Sequence, residues 1–89
     1  MTVYEFRCAV FVYCVLTRAS ETQGFRTKAH NDLVGGVEHS PHLYGLGQDV
    51  VYDGPVGMAD RPDVAERLGL KLVREADHDH LQPADWRAG

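Results

Sequence analysis

Apolar residues in this chain are concentrated in one long N-terminal segment and recur afterwards only in short clusters. Val3 to Leu16 is rich in valine, tyrosine, phenylalanine and cysteine and contains no turn signal. These residue types favour a strand, but several positions also fall on one face of a helix. Because the run is about 14 residues long, a helix is the better prediction, and it supplies most of the core. The residues on the predicted helical face are Phe6, Val10, Tyr13, Cys14 and Thr17.

The middle of the chain alternates polar connectors with short ordered segments. Thr17 to Thr27 is polar and predicts a connector that could include a short strand. Lys28 to Val34 predicts a helical turn, which the strong break at Gly35-Gly36 ends. A loop is predicted from Val37 to Gly47, followed by a buried strand at Asp49 to Tyr52.

The C-terminal third predicts a loop, a short helix and a hairpin. After a loop from Asp53 to Arg61, the helix covers Pro62 to Leu68, with Asp60 as its N-cap and Gly69 as its C-cap. Trp86 is expected to fold the tail back over the edge of the core. The first strand, the turn and the second strand of the hairpin are predicted at Leu70 to Arg74, Glu75 to Asp77 and Asp79 to Gln82.

The order and spacing of these elements predict one α+β domain over residues 1–89, with a small antiparallel sheet and two or three helices. A chain of this length buries only about 60% of the surface that its unfolded form exposes, so the core is small. The net charge of −4 and the lack of a basic run argue against nucleic-acid binding. The apolar run from Cys8 to Leu16 is too short to span a membrane, and Glu5 is unfavourable for a signal peptide. We expect a monomer.

Cys8 and Cys14 are the two cysteines of the chain. Their Cα atoms would be about 20 Å apart in a strand and about 9 Å apart along a helix, whereas a disulfide requires about 7 Å or less. The sequence therefore predicts two buried free thiols, which suits a reducing compartment.

Histidine is unusually frequent, with five residues in a short chain. His42 lies in a glycine-rich loop, and Asp49 opens an apolar strand, where a carboxylate costs several kcal/mol unless it is paired or bound to a metal. A catalytic zinc uses three protein ligands and one open position. His42, Asp49 and one of the pair His78 and His80 supply that number. Because His78 and His80 alternate along a predicted strand, we expect only one of them to reach the metal. Two further histidines are predicted to lie on the surface: His30 and His39.

Several short motifs follow one another along the chain in an order that resembles the zinc D-alanyl-D-alanine carboxypeptidase family. That family shares a superfamily with lysostaphin-type peptidases and the hedgehog signalling domain, so the resemblance implies a compact version of their fold. Gly47 stands where the family usually has alanine. The motifs are Gly24-Phe25-Arg26-Thr27, Asn31, Gly35-Gly36, Ser40, His42, Gly45, Asp49 and His78-Asp79-His80.

The resemblance implies a zinc site with His42, Asp49 and a histidine of the last motif as ligands. In members with a His-x-His motif the second histidine is the ligand, which corresponds to His80, and the first, His78, stabilises charge in the transition state. Other members carry Glu-x-x-His, and two residue pairs of this chain also fit that spacing. We favour His80 because Leu81 follows it in an apparent strand.

The catalytic base is left open between Glu75, Asp77 and His78. Glu75 precedes His78 by three residues, and Asp77 precedes His80 by three. The resemblance also implies that Arg26 reaches towards the substrate and that Ser40 supports the site by hydrogen bonding.

The activity implied is zinc-dependent hydrolysis of a peptide bond in the peptidoglycan stem peptide, as a D-Ala-D-Ala carboxypeptidase or an endolysin-like enzyme. Such a protein would be cytoplasmic at synthesis and would act on the cell wall after export or phage lysis. One alternative is a zinc-binding structural or interaction domain without turnover. A second alternative is a histidine-rich domain that holds no metal.

Overall fold

The computed structural model describes residues 1–36, 39–54 and 60–86. Within these ranges, three α-helices and a four-stranded antiparallel sheet confirm the predicted α+β fold. A short 3-10 helix at Pro41–Tyr44 lies in the segment predicted as loop. In chain order the α-helices and strands are α1 (Val3–Thr17), β1 (Ala19–Gln23), α2 (Lys28–Leu33), β2 (Gln48–Tyr52), α3 (Asp60–Arg67), β3 (Leu70–Arg74) and β4 (Asp79–Pro83).

The sheet has the strand order β1-β2-β4-β3, so β2 and β4 form its centre. The hairpin of β3 and β4 agrees with the prediction, and Leu72 pairs with Leu81 across it. In the central pair, β2 runs antiparallel to β4 and Asp49 is the partner of His80. Two residues that lie far apart in the sequence therefore meet at the centre of the sheet.

Helix α1 forms because both its N-terminus and its buried face are well specified by the sequence. Thr2 and Glu5 make a reciprocal capping box, and Arg18, in the left-handed region with φ 57°, ends the helix. The predicted face is buried, except that Cys14 is only partly covered. The buried apolar core consists of Phe6, Val10, Tyr13, Val50, Ala65, Leu70 and Leu81.

The sheet presents two chemically different faces because side chains alternate along each strand. Val50 of β2 and Leu81 of β4 are fully buried in the core with α1. Their neighbours Asp49 and His80 consequently point to the opposite face. The apolar face stabilises the fold, and the other face is available for polar chemistry.

A chain of polar groups crosses the core on the α1 face. The hydroxyl oxygens of Tyr13 and Tyr52 are 2.5 Å apart, and the Tyr52 hydroxyl donates to Asp79 Oδ2 at 2.7 Å. Arg61 of α3 stacks over the Tyr52 ring at 3.8 Å, with Nη1 3.5 Å from Asp79 Oδ2. Burial, together with Tyr13 and Asp79, raises the pKa of Tyr52 far above its ordinary value, so its hydroxyl remains a donor. These contacts join α1, β2, β4 and α3.

Three details differ from the sequence predictions. Both cysteines are free, as predicted, but Cys8 is exposed because it lies on the side of α1 that faces away from the sheet. Burial raises the pKa of the Cys14 thiol to about 11. Helix α3 begins at Asp60, so Asp60 lies in its first turn and is not the N-cap. Trp86 packs against Tyr44, with ring centroids 5.3 Å apart, and is not part of the core cluster.

Parts of two predicted loops, residues 37–38 and 55–59, lie outside the described residues. In the part of the chain that the structure describes, no helix is long and apolar enough to cross a membrane.

Replacing Leu81 by alanine tests the core. Leu81 is fully buried, whereas Leu33 is 81% exposed. We expect Leu81→Ala to lower the free energy of unfolding by about 2–5 kcal/mol, and Leu33→Ala to change it by no more than about 0.5 kcal/mol. Urea denaturation in the presence of a chelator measures both without a contribution from metal. Equal effects of the two substitutions would contradict the assigned core.

Candidate metal centre

Two histidines and one aspartate converge on the polar face of the sheet. The strand register places His80 Nδ1 3.0 Å from Asp49 Oδ1. His42 Nε2 lies 3.2 Å from the same oxygen. All three residues are buried, and one potential ligand atom from each lies within 4.8 Å of the others. The structure thus brings together the ligand set favoured from the sequence, with His80 as its third member.

His42 reaches this position because two other segments hold the 3-10 helix that carries it. The Ser40 hydroxyl accepts from the His42 backbone N–H at 3.3 Å and caps the helix, with Pro41 at its first position. His42 Nδ1 lies 2.6 Å from the Gly24 carbonyl oxygen. The Arg26 N–H donates to the His42 carbonyl at 3.0 Å. The Gly24 to Arg26 turn therefore holds both the backbone and the ring of His42.

Each imidazole makes one hydrogen bond on the side away from Asp49, and this bond determines whether the inner nitrogen, the one that faces Asp49, can accept or donate. A carbonyl oxygen can only accept, so His42 Nδ1 donates to Gly24. His80 Nε2 lies 2.9 Å from Gln82 Oε1 and donates to it. In a neutral imidazole the other nitrogen is an acceptor. His42 Nε2 and His80 Nδ1 then both direct a lone pair at the Asp49 carboxylate, which is also an acceptor. A cation between the three groups removes this repulsion.

Two distances within the group fit a metal ion. In a tetrahedral site with metal–ligand bonds of about 2.0–2.1 Å, neighbouring ligand atoms are about 3.3 Å apart. The two separations from Asp49 Oδ1 are 3.2 Å to His42 and 3.0 Å to His80. Outer hydrogen bonds of the kind made to Gly24 and Gln82 are typical of metal-bound histidines, because they fix the tautomer and the ring orientation.

Asp49 supplies a negative charge to this group. In the metal-free chain burial favours the neutral acid, but the hydrogen bonds that His42 and His80 donate in their imidazolium forms outweigh it and hold the pKa of Asp49 below its ordinary value. Its second oxygen, Oδ2, lies 3.6 Å from both Arg26 Nη2 and His78 Nε2. One carboxylate oxygen thus faces the two candidate ligands, while the other faces Arg26 and His78.

Arg26 is held in place by side chains of the motifs that accompany it in the sequence. Nη1 donates to Asn31 Oδ1 and Nη2 to Gln23 Oε1, both at 3.0 Å. Its buried Nε has no acceptor among the described residues. A Cβ on Gly36 would lie 2.1 Å from Asn31 Oδ1 and 2.9 Å from Arg26 Nη1, so a side chain at this position would displace the Asn31 amide. The predicted arginine, asparagine and Gly-Gly motifs consequently form one structural unit.

A cavity of about 500 Å³ opens beside the three candidate ligands. Its walls include Arg26, Ser40, Glu75 and His78, all of which the sequence assigns to the site. It is large enough to admit part of a peptide, since small-molecule sites span about 300–1,000 Å³. The cavity joins the candidate ligands to the ionisable side chains of Arg26, Glu75 and His78.

His78 also faces Asp49, but of the pair only His80 joins the candidate ligand group found among the described residues, in agreement with the prediction. His78 lies in the turn before β4, where strand alternation does not apply. Its Nδ1 is 2.7 Å from Asp77 Oδ1, and this hydrogen bond raises the pKa of His78. The Asp77 side chain is 89% exposed and engaged with His78, whereas Glu75 lines the cavity.

The other two histidines are exposed, as predicted. His30 contacts Gln23, and neither His30 nor His39 belongs to the candidate ligand group. Sequence reasoning missed Gln23 and Gln82, which fix Arg26 and His80. Gln82 could have been found from the sequence, because it lies two positions after His80 in a predicted strand and such positions share a face. No sequence signal pointed to Gln23.

Comparisons with protein-family models, curated proteins and solved structures find no match for this chain. The resemblance therefore depends on the motif residues themselves, and the geometry of those residues carries the functional argument.

We expect one metal ion per chain, bound by His42, Asp49 and His80. His42→Ala and His80→Ala should each abolish stoichiometric binding, because two remaining ligands do not hold a metal tightly. His30→Ala, outside the group, should retain it. Elemental analysis after dialysis measures the ratio of metal to protein. A wild-type ratio near zero after incubation with metal would contradict the site.

Gly47 provides a second test of the site, because the backbone of His42 passes close to it. A Cβ at position 47 would lie 2.8 Å from the backbone nitrogen of His42, which is closer than non-bonded atoms tolerate. We expect Gly47→Ala to displace His42 and to weaken metal affinity by about tenfold or more. Gly54→Ala is the control, since its nearest contact would be an ordinary 3.7 Å. Competition with a chromophoric chelator measures both affinities, and equal values would mean that His42 does not need this close approach.

Proposed function

We propose that this chain is a zinc-dependent peptidase that hydrolyses a peptide bond in the peptidoglycan stem peptide. One observation carries the proposal: in the buried His42–Asp49–His80 group one potential ligand atom from each residue lies within 4.8 Å of the others, beside a cavity lined by Arg26 and Glu75. Two histidines and a carboxylate suit zinc, and a set of three protein ligands is typical of catalytic sites. The substrate class comes from the motifs that resemble the D-Ala-D-Ala carboxypeptidase family.

A zinc ion bound there would lower the pKa of a bound water towards neutrality and polarise the scissile carbonyl. Glu75 is the proposed general base. Its position on the cavity wall supports this role, because a base must come within hydrogen-bond reach of the proton that it removes. In this proposal Glu75 takes the proton from the attacking water and delivers it to the leaving amine.

Asp77 has a different role in this proposal. Its carboxylate accepts from His78 Nδ1 at 2.7 Å, which favours the imidazolium form of His78 and fixes its orientation. His78 Nε2 then points towards Asp49 and the cavity. From there it donates to the carbonyl oxygen as negative charge develops in the transition state.

Arg26 is the second cationic group of the proposed site. Its guanidinium is only 11% exposed and lies 3.6 Å from Asp49 Oδ2. Held by Gln23 and Asn31, it needs little reorganisation when a substrate enters. It is suited to a peptide carbonyl or a terminal carboxylate, as carboxypeptidase and endolysin-like substrates both provide. Since stem peptides lie in the cell wall, the protein would act there after export or phage lysis.

A second candidate function is a zinc-binding structural or interaction domain without turnover. The hydrogen bonds of Arg26 favour this alternative, because both terminal nitrogens are already engaged within the chain. In such a domain zinc would stabilise the small fold by linking the 3-10 helix to β2 and β4.

Substitution of Glu75 separates these functions. We expect Glu75→Gln to lower kcat on purified peptidoglycan by about 10²–10⁴-fold, because it removes the general base, and to retain one zinc per chain. Asp77→Asn should reduce kcat less, since His78 remains present. Hydrolysis and zinc content are measured on the same samples.

The outcomes of this experiment are distinct. A larger loss in Asp77→Asn than in Glu75→Gln would assign the base to Asp77. A wild-type protein that binds one zinc but hydrolyses no stem peptide would contradict the peptidase and favour the structural domain.

A further inference from the structure

Helix α1 carries a second apolar face opposite the one that packs on the sheet. Four residues at spacings of four, three and four form what we call the outer seam: Tyr4, Cys8, Phe11 and Val15. This is the spacing of the core positions of a coiled coil. Tyr4 is 79%, Phe11 66% and Val15 63% exposed, and Cys8 is also exposed. None of the buried residues of α1 belongs to this seam.

The outer seam forms an unusually apolar surface. Val12 and Leu16 extend it, with exposures of 40% and 63%. A helix that is apolar on both faces is normally covered on both. With side-chain areas of about 150–250 Å² for the aromatics and roughly half that for the aliphatics, these residues expose on the order of 600 Å². That is about a tenth of the chain's 5496 Å² surface and at the upper limit for a monomer.

We propose that two copies of this chain associate through their outer seams as an antiparallel, two-fold symmetric pair of α1 helices. The inference goes beyond the proposed function and is independent of it.

The sizes of the seam residues favour a second copy in this orientation. In the antiparallel register, Tyr4 lies opposite Val15 of the other copy, and Cys8 lies opposite Phe11 of the other copy. Each layer then combines a large side chain with a small one, which fills the space between two helices evenly. A parallel pair would instead place tyrosine against tyrosine and cysteine against cysteine, leaving one layer overfilled and another underfilled.

The charges around α1 favour a protein surface over a lipid surface. Helices that lie on membranes usually carry many lysines and arginines beside their apolar face. The basic residue within α1 is Arg7, and it is engaged with Glu21 and with Gln48 Oε1 of its own chain. The net charge of −4 also disfavours anionic lipid. The seam itself contains no charged residue, so its partner surface must be apolar.

The area agrees with a dimer of moderate stability. About 600 Å² from each copy gives about 1,200 Å² in total, the lower end of standard specific interfaces. A small domain with a small core also gains stability by association. This proposal replaces the monomer expected from the sequence. Because α1 packs on the Val50 and Leu81 face of the sheet, the candidate ligands on the other face stay accessible in the dimer.

Sedimentation equilibrium between about 1 and 500 μM tests the proposal. We expect wild-type protein to approach twice the 9.9 kDa chain mass at the higher concentrations, and Phe11→Glu to remain at the single mass. Leu33→Glu is the control, since Leu33 is 81% exposed but lies outside α1 and outside the candidate metal centre. It should dimerise as the wild type does. Circular dichroism and metal content verify that each variant is folded.

A cross-linking variant tests the register. In the proposed pair, a cysteine introduced by Phe11→Cys faces Cys8 of the other copy, so mild oxidation should give a covalent dimer. Wild-type Cys8 should not cross-link to its own counterpart, because an offset of about 4.5 Å along axes 8–10 Å apart exceeds disulfide reach. Peptide mapping identifies the bond.

Three results would overturn the proposal. A wild-type chain that stays at the single mass up to 500 μM excludes the dimer. Flotation of that chain with neutral phosphatidylcholine vesicles would assign the outer seam to a lipid surface instead. Loss of dimerisation in Leu33→Glu as well as Phe11→Glu would contradict this face, and a Cys8–Cys8 bond in wild type would contradict this register.

Discussion

The cross-strand pair of Asp49 and His80 is the contact on which the rest of the candidate site depends. A buried carboxylate is costly unless it is paired, and the β2–β4 register places His80 directly opposite it. A shift of the register by one residue would send the whole set to the apolar face, which Val50 and Leu81 fill against α1. The packing of the core on one face therefore fixes the geometry of the polar group on the other.

His42 is held by a different mechanism, because it does not lie on the sheet. Its ring and its backbone are both bonded to the Gly24 to Arg26 turn, and Gly47 leaves the space that its backbone needs. The glycines of the motif are thus explained by close approaches of named atoms. Two paired strands supply one ligand each, and a 3-10 helix held by a turn supplies the third.

The sequence was sufficient to predict parts whose determinants are local. The length and spacing of α1, the alternation of β3 and the break at Gly35-Gly36 each depend on neighbouring residues, and the elements follow them. Of the site, His42 and Asp49 were predictable from residue type and spacing, whereas His80 was preferred to His78 only with the help of the family resemblance, and the structure groups all three. The direction of the His78 side chain was not predictable, because it depends on where β4 begins. Gln23 was missed because only the folded chain brings it to Arg26.

The two faces of the sheet also explain why so short a chain can hold so many buried polar groups. On the α1 face, Asp79 is satisfied by Tyr52 and Arg61. On the other face, Asp49 lies between two histidines and near Arg26. Asp79 and His80 are neighbours in β4. The contacts of Asp79 on the α1 face therefore also hold the strand that carries His80, and the contacts of His80 hold the strand that carries Asp79. A cation at the candidate centre would remove the remaining conflict, the convergence of three acceptors, and would stabilise the same strand pair that the core depends on.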